Sequence, residues 1–380
     1  MKIGFFTDGY LPQLNGVATS VEAWSKGLGK LGHEVYIIAP KYQNFKDKSD
    51  KIIRLPSLRI LDKPDIRLGF PLSAKSISKI YKLKLDIIHG TSGGSISVLG
   101  LIVARAKKIP YIFTYYTRFN HYTHYILKGK IIRPWMIKKA TRIFCNKCDS
   151  VIVPMRKIKD ELISFGVKKP IAVIPSGVDL DKFSQQKKGF LHKKTGIKNG
   201  KILLYVGRLE KEKSIDFLIK AFKIIWDKDK NTNLVLVGDG KMKENLERLA
   251  EELGVRKNVY FTGLIDSAEM NKVYADAEIF VFASITETQG MVVLEALSSG
   301  LPVVALNDEV YNGIIKDKMN GALVDNYEDF TKACLEILDN DQYRKKLSQF
   351  ARKSMKGFSL FATAKSFEKL YGKLIDKSNN

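Results

Sequence analysis

The sequence predicts an α/β protein built from two doubly wound domains, each a parallel sheet with helices on both faces. Three observations carry this expectation. Short β-branched runs alternate with helical stretches along most of the chain; a polar, lysine-rich stretch interrupts the alternation near the middle; and 380 residues are enough for two cores.

In the first half, KIGFFT, EVYIIAP, LDIIHG, IPYIFTYY, SVIVP and IAVIP read as strands, with helical windows such as TSVEAWSKGLGKLG and SISVLGLIVARAKKI between them. In the second half, KILLYVG, NLVLVGDG, VYFTGLI, IFVFAS and LPVVAL read as strands, again separated by helices. The join is expected within residues 175–201, which are polar and contain glycine and many lysines. After residue 326 the chain reads as helix to its end, and FATAKSFEKLYGKLI has apolar positions at helical spacing. The expected division is 1–185, 186–355 and a final helix over 356–380. That helix is able to pack on either domain, with a return to the first among the options, or to bridge both. In open α/β sheets, ligands bind outside the carboxyl ends of the strands, so two Rossmann-like domains facing a cleft make the strand-end sequences the place to look for chemistry.

Composition excludes several classes. Hydrophobic content is ordinary for a globular protein, no apolar run approaches the roughly 20 residues of a spanning helix, and MKIGFFTDGYLPQLNG reads as a strand and loop rather than a signal peptide. Three cysteines, Cys145, Cys148 and Cys334, point to a reducing compartment. The CxxC of Cys145 and Cys148 lacks the further ligands zinc requires; redox chemistry and simple packing one helical turn apart stay open, with packing the plainer reading. Net charge is +24, and it is unevenly placed: residues 1–190 hold 34 Lys and Arg against 13 Asp and Glu, a net of +21, and the rest nets +3. A one-sided basic chain attracts nucleic acid, an anionic membrane or a polyanionic substrate, whereas solubility needs no such segregation.

Four strand-end stretches draw attention. In TDGYLPQLNGVATSVE, Gly16 permits close approach of a ligand before a helix N-terminus, although a plain turn explains it too. In GRLEKEKSIDFL, Arg208 and Lys213 flank a loop and suit a diphosphate, one as a bidentate fork and one as a point charge; a surface cluster with Glu210 and Glu212 is an equal reading. In LVLVGDGKMKENL, Gly238 opens a backbone-lined niche or a turn without a ligand. In TETQGMVVLE, Gly290 precedes a helix from about Met291, whose first amides, including those of Met291 and Val292, offer a phosphate site. Glu287 lies in the loop and Glu295 on the helix. Carboxylates accept from vicinal hydroxyls, as in a ribose or hexose, and Glu295 sits in so apolar a run that a partner is expected. Anion donors together with carboxylates for sugar hydroxyls describe a nucleotide-sugar site.

GRLEKEK, the E-x7-E of Glu287 and Glu295, the NGV loop, PSGVD at the join and the helical tail resemble glycosyltransferase family 4, retaining enzymes of the GT-B fold, over essentially the whole chain. The resemblance implies that Arg208 and Lys213 hold the donor diphosphate, Glu295 the ribose, and Glu287 the donor sugar and the reacting state. It also implies that the amides of Gly290, Met291 and Val292 contact sugar or phosphate and that Gly16 approaches the phosphates; the niche at Gly238 is assigned to donor binding with them. Such enzymes work without a cofactor or metal; the nucleotide-sugar is a co-substrate. TYYTRFNHYTHYILKGK, ATRIFCNKCDSVIVP and FGVKKPIAVIPSGVDLDKF are similar to the bacterial diacylglycerol glucosyltransferases, which use UDP-glucose. The family's usual donor-contacting His is here Tyr116. Two acidic positions of the lipid subfamily read Asn120 and His121, whereas His124 and Tyr125 match. Tyr116 and His124 are therefore assigned with Glu287 to catalysis, and Tyr10, His121 and Tyr125 to the acceptor. An aromatic-rich structural loop is the plainer alternative for the two histidines.

A lipid acceptor would also account for the charge. Lys75, Lys79 and Lys82 recur at helical spacing, and Trp135 stands among Arg133, Lys138, Lys139 and Arg142. Basic residues beside apolar ones suit an interfacial helix on anionic lipid, and an ordinary surface helix shares the pattern. The expectation is a glycosyltransferase moving glucose from UDP-glucose to diacylglycerol or a similar lipid, cytoplasmic and peripheral on the inner face of the cell membrane. Competing readings are a mannosyltransferase or other GT-B enzyme with a soluble, polyprenol-linked or polysaccharide acceptor, a sugar-nucleotide epimerase, and a nucleic-acid-binding protein. The last leaves Glu287 and Glu295 unexplained and shows no recognisable module, so no nucleic-acid partner is expected.

Overall fold

The computed structural model describes residues 1–13, 16–43, 45–47, 49–60, 63–70, 73–116, 133–185 and 188–379. Met1–Gly177 with Leu360–Asn380 forms one compact unit, and Val178–Ser359 forms a second.

The first unit holds β1 (Lys2–Phe6), β2 (Glu34–Pro40), β3 (Ile52–Leu55), β4 (Ser57–Ile60), β5 (Lys63–Gly69), β6 (Ile87–Gly90), β7 (Tyr111–Thr114), β8 (Ser150–Val153) and β9 (Ile171–Val173). Seven of these make a parallel sheet in the order β3-β2-β1-β6-β7-β8-β9, and β4 and β5 pair antiparallel apart from it. Successive strand side chains point to opposite faces, so each apolar run feeds two cores. Phe6, Ile38, Ile88, Phe113 and Val151 pack on one face, against Ile80, Val103, Cys145 and Leu162. The helices there are α2 (Ala74–Lys82), α3 (Ser95–Lys107), α4 (Pro134–Lys147) and α5 (Arg156–Ser164), whereas α1 (Gly16–Lys30) covers the other side. On that side Phe5, Ile37, Ile87, Ile112 and Ile152 meet Val21, Trp24 and Leu28 of α1, and also Ala364, Phe367 and Tyr371. The last three belong to the C-terminal helix (Leu360–Asn379), which returns to the first unit as the sequence pattern allows.

His89 fastens that return. It is fully buried; its Nδ1 lies 2.7 Å from the Tyr371 hydroxyl and its Nε2 2.5 Å from Thr114 Oγ1. Its ring stacks on Trp24 at 5.8 Å between centroids with an 8° interplanar angle. Burial disfavours the imidazolium and pushes the His89 pKa down to about 3, so the ring is neutral. At the surface, His33 Nε2 meets Glu368 of the same helix at 2.9 Å.

The second unit holds β10 (Lys201–Val206), β11 (Thr232–Val237), β12 (Val259–Gly263), β13 (Ile279–Phe282), β14 (Val303–Leu306) and β15 (Gly321–Val324), a parallel sheet in the order β12-β11-β10-β13-β14-β15. Its helices are α6 (Leu180–Ser184), α7 (Phe190–Thr195), α8 (Ile215–Lys228), α9 (Lys243–Glu252), α10 (Met270–Ala275), α11 (Met291–Ser298), α12 (Tyr327–Asp339) and α13 (Asp341–Ser354); the C-terminal helix is then α14. Asp276, 5 % exposed, accepts from the Gly189 and Leu191 amides at 2.5 and 2.6 Å and anchors the start of α7.

Four strands escaped the sequence pattern: β3, β4, β5 and β15. Each is short or lies at a sheet edge or in the separate hairpin, where both-face burial does not impose a continuous apolar run. The CxxC is a packing feature. Cys145 and Cys148 are buried, burial raises both thiol pKa values, that of Cys145 to about 12, and no metal-binding cluster of His, Cys, Asp or Glu occurs among the described residues. Among the described residues no helix is long and apolar enough to cross a membrane.

Candidate functional site

Strand order reverses direction at β10 and β13, so the loops leaving the carboxyl ends of β10, β11 and β13 arise side by side. The first is Gly207–Ser214, with a 3-10 turn over Lys211–Lys213 before α8. The second contains Gly238–Gly240. The third is Ala283–Gly290, which leads into α11.

The first and third loops are tied together. The Lys213 ammonium pairs with the Glu287 carboxylate, their side chains 11 % and 20 % exposed. The Glu212 carbonyl accepts from Thr286 Oγ1 at 3.4 Å and from Ser284 Oγ at 3.5 Å. Tyr311 donates its hydroxyl to the Ser284 carbonyl at 2.8 Å, and Tyr205 donates to the Arg208 carbonyl at 3.0 Å. Arg208 itself is well exposed, 58 % by its side chain, and its Nη2 lies 3.2 Å from Glu212 Oε1. Thus the pattern that read equally as a phosphate site or a salt-bridge cluster contains an Arg–Glu pair, formed with Glu212.

Gly238 is demanded by the fold: its φ is +140°, and a Cβ there would fall 1.9 Å from the Gly207 carbonyl oxygen. Leu209 N donates to Asp239 O at 2.9 Å, completing the contact between the first two loops. Gly290 has φ +70° and stands at the N-cap of α11 with no side chain capping it; Met291 and Val292, half-buried, form the first turn. Glu295 lies on that helix, and the partner its apolar setting requires is Tyr274 of α10, whose hydroxyl donates to Glu295 Oε2 at 2.9 Å. Burial raises the Glu295 pKa above the ordinary carboxylate value, while the Tyr274 bond and the Lys182 charge act in the opposite sense. Sequence spacing gave no signal for Tyr274, which stands in an ordinary helical window.

In the first unit, Gly16 opens α1 and is exposed, and a Cβ built on it meets nothing within 4 Å. Tyr10 is only 2 % exposed. Its hydroxyl donates to the Glu22 carboxylate and its ring lies under the Arg54 guanidinium at 5.4 Å, so its side chain presents little surface to an acceptor. Tyr116 stacks on Trp24 at 5.4 Å, its hydroxyl lies 2.6 Å from Ser176 Oγ, and burial raises its pKa. His121, His124 and Tyr125 lie outside the described residues.

Lys75, Lys79 and Lys82 are exposed on α2. Along α4, Trp135 (58 % exposed), Met136 and Ile143 face solvent beside the exposed Lys138, Lys139 and Arg142, while Phe144 packs edge-on against Phe113 and Cys145 is buried. The first unit carries 35 Lys and Arg against 13 Asp and Glu, a net of +22, and the second nets +2.

Residues 14–182 match the family model for glycosyltransferase family 4, and residues 187–354 that for glycosyl transferases group 1. The alpha-monoglucosyldiacylglycerol synthase of Streptococcus pneumoniae is 39 % identical over 89 % of this chain and 78 % of its own length. The synthase of the same name from Acholeplasma laidlawii is 34 % identical over 100 % of this chain and 98 % of its own. Among solved structures, Anabaena HepE in complex with UDP superposes with a TM-score of 0.78 at 17 % identity, covering 98 % of this chain and 100 % of that one. Two parallel-sheet units, the coupled loops at the ends of β10 and β13, and relatives at this level of identity lead to one conclusion: the chain belongs to glycosyltransferase family 4 and is a glycosyltransferase of the GT-B fold, related to glucosyldiacylglycerol synthases.

Proposed function

We propose that the chain transfers glucose from UDP-glucose to diacylglycerol or a similar membrane lipid, with retention at the anomeric carbon, while bound peripherally to the inner face of the cell membrane. The observation carrying this reading is the pairing of Lys213 with Glu287 beside the α11 N-terminus, with Glu295 eight positions further on, in a chain 39 % identical to an alpha-monoglucosyldiacylglycerol synthase.

In this reading the donor diphosphate lies against Arg208, Lys213 and the first amides of α11. Cationic and amide donors there stabilise charge developing on the leaving diphosphate. Glu295 accepts from the ribose hydroxyls, and Tyr274 holds its carboxylate in place. Glu287 faces the donor sugar, prepositioned by Lys213. The acceptor hydroxyl attacks the anomeric carbon on the face the diphosphate leaves, and its proton passes to the departing phosphate oxygen. Gly16 contributes to donor binding, Tyr116 and His124 act with Glu287 in catalysis, and His121 and Tyr125 serve the acceptor. The +22 charge of the first unit and the Trp135 face of α4 supply attraction to an anionic lipid surface.

The deciding experiment incubates the protein with diacylglycerol in anionic vesicles and, in parallel, UDP-glucose, UDP-galactose or GDP-mannose. Glucosyl-diacylglycerol from UDP-glucose alone is the expected product. Transfer only from GDP-mannose, or only to a polyprenyl phosphate or a soluble sugar, would replace this reading with the corresponding one.

A further inference from the structure

We propose that Glu212 is an internal competitor for the donor diphosphate: its carboxylate occupies Arg208 when the site is empty and is displaced when the diphosphate binds. Glu212 is thus a positioning residue that sets how tightly nucleotide is held and how readily it leaves. The inference rests on the assignment of Arg208 and Lys213 to the diphosphate.

The two cations assigned to the diphosphate, Arg208 and Lys213, already have carboxylate partners. Lys213 is nearly buried and pairs with Glu287, also mostly buried. A cation at that depth is costly without a partner, so this pair persists as part of the site. Arg208 differs. Its side chain is 58 % exposed, and its Nη2 lies 3.2 Å from Glu212 Oε1, four residues on. A guanidinium carries five donors, so the Nη2 contact leaves it able to engage another anion, and the exposure of the Arg208 end makes its side of the pair inexpensive to release.

Glu212, in contrast, cannot follow Arg208 away. Its side chain is 15 % exposed, and its carbonyl takes the Ser284 and Thr286 hydroxyls of the loop before α11. The acid is therefore held close to the protein and the base stands out in solvent. An exchange of partners follows from that asymmetry. The diphosphate offers at least two negative charges and a bidentate edge, and it outbids one carboxylate oxygen. When UDP remains after transfer, the same carboxylate offers Arg208 an alternative partner, which assists release.

The sign of the effect separates this role from a structural one. Glu212→Gln keeps the side-chain shape and the backbone carbonyl but removes the competing charge. UDP should then bind about two- to fivefold more tightly, the range for an exposed ion pair, and the gain should shrink as salt is raised. Glu212→Asp, which keeps the charge, should stay near the wild-type Kd. Titration calorimetry with UDP on the full chain, at low and high salt, reads all of these. Weaker or unchanged binding in Glu212→Gln, with a folded protein by circular dichroism, overturns the proposal. Arg208→Ala serves as the separate check: if it leaves the Kd for UDP unchanged, the diphosphate assignment itself fails, whereas weakened binding there without tightening in Glu212→Gln fails the competitor role alone.

Discussion

Lowering the pH from 7 to 5 should loosen the first unit through one residue, His89. In the folded chain its pKa is pushed down to about 3, against an ordinary 6.5. Between those values the unfolded chain binds a proton that the folded chain refuses. The stabilisation is therefore complete above pH 6.5 and is lost as pH falls, at about 1.36 kcal/mol per unit. Over the whole interval the loss is roughly 5 kcal/mol, and at pH 5 it is already about 2 kcal/mol. The control is His89→Gln, which cannot titrate. It should cost about 1–3 kcal/mol at pH 7, because Tyr371 and Thr114 lose a partner. Its urea midpoint should then vary less with pH, so that the gap between the two proteins shrinks by about 2 kcal/mol between pH 7 and pH 5. Trp24, stacked on the imidazole, reports the transition by fluorescence once Trp135 and Trp226 are replaced by Phe. An equal gap at both pH values would refute a neutral, desolvated His89.

Further outcomes concern the candidate site and its surroundings. Glu295→Gln should weaken UDP binding about 10- to 150-fold, the worth of a charge-assisted hydrogen bond of about 1.5–3 kcal/mol, whereas Glu287→Gln should mainly lower kcat; equal effects on Kd in both variants would overturn the division of roles. Gly16→Ala should leave thermal stability within about 1 kcal/mol, since no atom stands within 4 Å of the new Cβ, while transfer falls; full activity would remove Gly16 from donor binding. Replacing Lys138 and Lys139 together by Ala should reduce partition onto anionic vesicles about 30-fold, at about 1 kcal/mol per basic residue near the surface, and flotation indifferent to both the variant and salt would exclude electrostatic contact through α4.

Much of the fold was legible because parallel strands buried on both faces must be apolar nearly throughout, and KIGFF and IFVF are. The helix after Gly290 was legible for a backbone reason, a left-handed residue just before an apolar helical run. What stayed hidden depends on partners far apart in the chain. Lys213 and Glu287 each looked like a ligand contact, yet 74 positions separate them and nothing local says that they pair. Tyr274 stands 21 positions before Glu295, in a stretch with no other mark. The polar stretch over 175–201 reads as a linker by composition, but it contains α6, capped by Asp179, and α7, whose start is held by Asp276 more than eighty residues later through the Gly189 and Leu191 amides. Tyr10 looked available in its loop; burial beneath Arg54 and the bond to Glu22 could not be read from its neighbours.

The return of α14 sets an order of events during synthesis. A ribosome completes all of Val178–Ser359 before it makes Leu360, so the face of the first unit bearing Phe5, Trp24 and His89 waits uncovered meanwhile. At about 5–20 residues per second the wait is roughly ten to forty seconds. During that interval the growing chain presents a bare aromatic surface to chaperones and proteases. A chain cut short before Leu360 never covers it with α14, because Ala364, Phe367 and Tyr371 all lie beyond the break.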